Sequence, residues 1–114
     1  MRVPIKIKLL RWVKIAYPDA VIDEQGAPLY GRTIVGNRRV EVAKDRHSGA
    51  EDLHATTLHE VLHLALSVSG HSEWLGEERE EALVTALENY LAPVLCFREN
   101  SVVSWGEVDF PWEE

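Results

Sequence analysis

The chain has 114 residues, a formal net charge of −7 and one cysteine. That length suits one domain (1–114) with one modest core, leaves no room for a separate substrate-binding domain, and with Cys96 alone excludes an internal disulfide. No apolar run long enough to cross a membrane and no secretory signal pattern occur, so no membrane partner is expected and the expected compartment is the cytoplasm.

The charge is divided unevenly along the chain. Residues 1–46 carry ten Lys/Arg against five Asp/Glu, and residues 47–114 carry two against fourteen. An acidic second half favours a divalent cation and works against a nucleic-acid partner, and the basic first half is expected to complement it within the fold.

Val3 to Val13 opens with Ile5, Ile7 and Leu9 alternating against Lys6 and Lys8, the period of a half-buried strand, and Trp12 to Tyr17 reads as a second strand segment or a bent extension stopped by Pro18-Asp19. Asp23 to Pro28 has turn chemistry. Leu29 to Val35 and Arg38 to Ala43 then read as two strands joined by a tight turn at Gly36-Asn37. Ser48 to Glu51 has the spacing of a capping box, so a long helix is expected from about Gly49 to Ser69 with Gly70 as its C-terminal cap. His71 to Gly76 reads as a connecting loop. A second helix is expected from about Glu77 to Ala92, closed by Pro93. Beyond it, Cys96 reads as a buried thiol in an apolar stretch, Val102-Val103 as a short strand, and Phe110 to Glu114 as a tail. The fold expected is α+β: a small antiparallel sheet of about three strands packed on two antiparallel helices.

The first helix contains His59-Glu60-Val61-Leu62-His63. With five His and fourteen Glu in 114 residues, composition alone produces H-E-x-x-H about 0.03 times, so the match is informative. Residues i and i+4 share a helix face, which presents two imidazoles about 6 Å apart, the beginning of a zinc site that needs a third ligand. Glu60, about 100° further round, stands beside such a metal, where its carboxylate can take a proton from the attacking water. This is the hydrolytic half of a metallopeptidase, and the partner expected is a peptide or protein substrate.

A histidine six residues beyond His63 would complete a metzincin set, but that position is Ser69. Glutamates crowd the start of the second helix instead. Glu80 lies on a stripe with Leu83, Val84, Leu87 and Leu91 and so points toward the core, where a carboxylate is costly unless it is paired or bound to metal; Glu81 lies at the border of that stripe.

His59 to His63, a connection of seventeen residues, and then Glu81-Ala82 resemble the gluzincin arrangement, in which a Glu followed by a small residue is the third ligand. Together with Leu29-Tyr30-Gly31, this resembles the minimal metallopeptidase-like proteins of phages and mobile elements, akin to the ImmA/IrrE group, whose second-helix pattern is loosely echoed by Ala86 and Ala92-Pro93. The resemblance implies a zincin-like fold and one zinc ion per chain held by His59, His63 and Glu81 (or Glu80), with Glu60 as base. His71 offers another completion, resembling the three-histidine set of rRNA-maturation endoribonucleases, though here seven residues separate it from His63 and Glu60 replaces the small residue of that pattern. A third expectation is a zinc-stabilised interaction or regulatory protein without turnover. Tyr30, His71 and Tyr90 are candidates by type for oxyanion stabilisation, and His47 and His54 read as surface or cap residues.

Overall fold

A strand whose side chains alternate between core and solvent leaves its mark on exposure, and β1 (Arg2–Leu9) bears it: Lys6 and Lys8 are exposed while Ile5 and Ile7 are half-buried. The structure, a computed structural model, describes residues 1–92 and 97–113. The expectations for Pro93 and Cys96 therefore lie outside the described residues. Leu10, with φ 68, reverses the chain into β2 (Arg11–Ala16), which pairs antiparallel with β1 so that Lys6 faces Lys14 and Lys8 faces Trp12.

Two short strands, β3 (Val21–Ile22) and β4 (Pro28–Leu29), form a separate antiparallel ribbon. Asp23 holds its turn, its Oδ1 accepting from the backbone N–H groups of Gln25 and Ala27. The expected hairpin follows as β5 (Gly31–Ile34) and β6 (Arg39–Val42). Its positive-φ residue is Arg38, at 47°, rather than Gly36 or Asn37, because the N–H of Arg38 closes the turn onto the carbonyl of Val35.

Three α-helices follow among the described residues: α1 (Ala50–Val68), the short α2 (His71–Leu75) and α3 (Glu77–Leu91). The expected ends of the long helix hold, with Gly70 at φ 83 just past it. Its N-terminal cap is a correction. Asp52, not Glu51, supplies the carboxylate, accepting from the N–H groups of both Ser48 and Gly49. The segment read as a connecting loop is α2, a second correction. The last strand, β7 (Val103–Glu107), starts one residue later than expected.

The sheet is larger than expected and mixed. Its order is β5-β6-β2-β1-β7, with β2 and β6 parallel and the other pairs antiparallel. A parallel pair needs a crossover, which here is the long excursion through β3, β4 and β5, and local periodicity carries no trace of that register. Val13, Ile15, Val40 and Val42 project from one face of the sheet onto Leu53, Val61 and Leu64 of α1, all within the core. Each such side chain contributes about 1.5–3 kcal/mol by leaving water. The C-terminal segment is anchored rather than trailing: Phe110 is buried edge-on against Tyr17, and the Met1 amine donates to the carbonyl of Val108.

Candidate metal centre

Helix α1 has two working sides. Leu53, Thr57, Leu58, Val61 and Leu64 are buried, and His59 and His63 flank that stripe, half-buried, facing α3. Their Nε2 atoms stand 3.2 Å apart. From α3 the Glu81 carboxylate reaches both, with Oε1 3.2 Å from His59 Nε2 and Oε2 2.8 Å from His63 Nε2. One ligand atom from each of the three residues lies within 4.8 Å of the others. The sequence candidates His59, His63 and Glu81 are thus brought together.

The far side of each ring is also held. His63 Nδ1 lies 2.6 Å from Glu80 Oε2, and His59 Nδ1 lies 2.7 Å from Glu88 Oε1. A carboxylate only accepts, so with the Nδ1 hydrogens given to Glu88 and Glu80 each ring would offer its Nε2 lone pair to a metal. Two imidazole nitrogens and one carboxylate, with outer carboxylates fixing both rings, is a donor set that fits zinc with room for a further ligand. Glu80 thus meets the far side of the His63 ring and is not among the three converging residues. Its stripe was read too strictly, since Leu83, expected on the core side with it, is exposed. Glu88 was missed, yet it lies two helical turns after Glu81 on the same face, and that i, i+7 spacing was available in the sequence.

The carboxylates around the two rings favour a positive charge between them. Burial opposes protonation of His63, but the Glu80 hydrogen bond and the charges of Glu60 and Glu81 outweigh it and raise the imidazole above its ordinary value. Glu80 is held below the usual carboxylate range: burial opposes ionisation, and the adjacent Ser72 hydroxyl and the His63 ring overcome it.

Glu60 points the other way round α1, toward β5. Thr33 donates from Oγ1 to Glu60, 2.9 Å from both its backbone carbonyl and Oε1. Burial pushes the Glu60 carboxyl above its usual range, with the Thr33 hydroxyl and the two imidazoles opposing that rise. Gly31 makes the approach possible: a Cβ there would lie 2.7 Å from the carbonyl oxygen of Glu41 and 3.2 Å from Cγ of Glu60. A cavity of about 390 Å³ opens here, lined by Tyr30, Gly31, Thr56, His59, Glu60 and Glu88.

Of the three residues considered for oxyanion stabilisation, Tyr30 lines this cavity. Tyr90 is exposed on α3, and the Nδ1 of His71 pairs with the Ser69 hydroxyl at 2.8 Å, outside the ligand cluster. His47 does serve as a cap, ending a short 3₁₀ turn at Lys44–Arg46, but neither it nor His54 is exposed. His47 is buried between the Ala43 carbonyl and the Thr56 hydroxyl, and His54 lies edge-on to Phe97 and Trp105. No family model matches the chain, and the comparisons with curated proteins and with solved structures also return no match.

Proposed function

We propose that the protein is a zinc-dependent metallopeptidase of zincin type, hydrolysing peptide bonds with Glu60 as general base. The observation that carries this reading is the convergence of His59 Nε2, His63 Nε2 and the Glu81 carboxylate within 4.8 Å, with Glu60 lining the adjoining cavity together with His59. Zinc held by His59, His63 and Glu81 would polarise the scissile carbonyl and make the attacking water more acidic.

The chain's own groups supply the rest. Glu60 accepts a proton as the water oxygen bonds to the carbonyl carbon; the C–N bond then breaks and the same proton passes to the leaving amine. A carboxyl raised above its usual range by burial holds that proton more readily than a solvated one. Thr33 fixes the carboxylate's orientation. Strand β5 is a sheet edge next to the cavity, so an extended peptide can add to it through backbone hydrogen bonds.

The test is a peptide library incubated with zinc-loaded protein in ¹⁸O-labelled water and read by mass spectrometry. New C-termini carrying one ¹⁸O, lost when a chelator is added, are expected; a zinc-loaded protein that cleaves no peptide contradicts the reading.

A further inference from the structure

The basic surplus of the first half does not dissolve into the acidic half. Among the described residues, the ion pairs that join the two are Arg2 with Glu99 and the Met1 amine with Glu107 and Glu113. Register shows where the rest of the charge goes. Val40 and Val42 face α1, so Arg39 projects from the opposite face of the sheet. Lys14 is paired directly with Arg39, and Lys6 with Lys14. These three cations form a row across β1, β2 and β6, spanning about 10 Å at the usual strand spacing. In the next row Lys8 faces Trp12, which is 47% exposed.

Arg39 shares Glu41 with Arg32. Lys6, Lys8 and Lys14 are exposed and enter no ion pair among the described residues. The acidic helices lie behind the sheet. Helix α1 packs on the other face of the sheet and α3 packs on α1, so a ligand on this face meets the lysines before the carboxylates of the helices.

We propose that this outer face binds single-stranded nucleic acid, with Lys6, Lys8, Lys14 and Arg39 along the phosphates and a base stacked on Trp12. A row of cations beside an exposed aromatic ring matches the way unpaired strands are held without sequence preference. A duplex would call for a helix or ribbon entering a groove, and these residues lie on the face of a five-stranded sheet. A membrane would call for an apolar face, and here the exposed apolar side chains near the lysines are scattered, with Trp12, the hairpin tip Leu10 and Val102 among them. The inference is independent of the hydrolytic reading, since none of these residues touches the metal centre.

Fluorescence anisotropy of labelled oligothymidylate and oligouridylate with the full chain tests it, alongside a matching duplex and anionic phospholipid vesicles. Saturable single-strand binding is expected, with log K falling against log salt at a slope of about −3 for four phosphate contacts. Changing Lys6, Lys8 and Lys14 together to Gln should weaken binding at least about 10-fold and flatten the slope. Trp12→Ala should weaken it about 5- to 100-fold with the slope kept. Circular dichroism and zinc content should match wild type in both variants. Unchanged affinity in folded variants, equal or tighter binding of duplex, binding of vesicles without oligonucleotide, or no binding at low salt would each overturn the proposal.

Discussion

The Nδ1 of His63 lies 2.6 Å from Oε2 of Glu80, while the Nε2 of the same ring lies 2.8 Å from Oε2 of Glu81. Adjacent glutamates on α3 thus hold opposite sides of one imidazole, and their substitutions should differ in size. Losing an outer carboxylate typically costs about 10- to 100-fold in metal affinity. Glu80→Gln and Glu88→Gln are expected in that range, and Glu81→Gln well beyond it, in competition with a chromophoric zinc chelator. A larger loss in Glu80→Gln than in Glu81→Gln would exchange their roles.

Zinc should also stabilise the fold, because its ligands come from two helices that unfolding separates. Free zinc at 100 times its dissociation constant adds about 2.7 kcal/mol if the unfolded chain does not bind it. Thermal unfolding should therefore shift upward with zinc in the wild type and stay unmoved in a His59→Ala, His63→Ala double variant. An equal shift in both would place the stabilising zinc elsewhere.

Gly31→Ala tests how tightly β5 is seated on α1. The new methyl meets a backbone carbonyl at 2.7 Å and Glu60 at 3.2 Å, and a carbonyl of the neighbouring strand cannot swing aside as a side chain can. Overpacking of this kind costs about 1–3 kcal/mol. Urea unfolding should show the loss, and cleavage activity should fall with it because Glu60 is displaced. A variant as stable and active as wild type would show that the strand gives way freely.

Acid should act on the other face of the sheet. Burial opposes ionisation of Glu41, but Arg32 at 2.6 Å and Arg39 at 3.1 Å overcome it and hold the carboxyl below its ordinary 4.5. A carboxyl lowered in the folded state contributes stability that is complete above its unfolded value and is lost as pH falls through the lowered one. Glu41→Gln should therefore be less stable than wild type at neutral pH, with the gap closing below pH 4.5. Urea unfolding across that range checks it, and a gap independent of pH would contradict the assignment.

What the sequence made legible was local. The apolar spacing of α1, the cap at Gly70, the β1 alternation and the His59–Glu60–His63 face follow from periods of two and 3.6, which any single segment displays. The parallel pairing of β2 with β6 and the place of β7 beside β1 depend on residues far apart in the chain and were not legible. The same holds for the glutamates. That one of them would reach the histidines was readable from their crowding after Gly76, but which carboxylate meets Nε2 and which meets Nδ1 is set by how α3 packs on α1. Phe110 lay in a stretch of turn-like and acidic residues, and only Tyr17, remote in sequence, shows why it is buried.

The most direct test of the central claim is zinc content and peptide cleavage measured together on wild type and Glu60→Gln. Glu60 lies outside the ligand cluster, and Glu and Gln have nearly equal helix propensity, so zinc stoichiometry and melting temperature should be unchanged. General-base assistance is worth about 10²- to 10⁴-fold, so cleavage should fall by that factor. Equal cleavage by the two proteins at equal zinc content would contradict the assignment of Glu60 as the base.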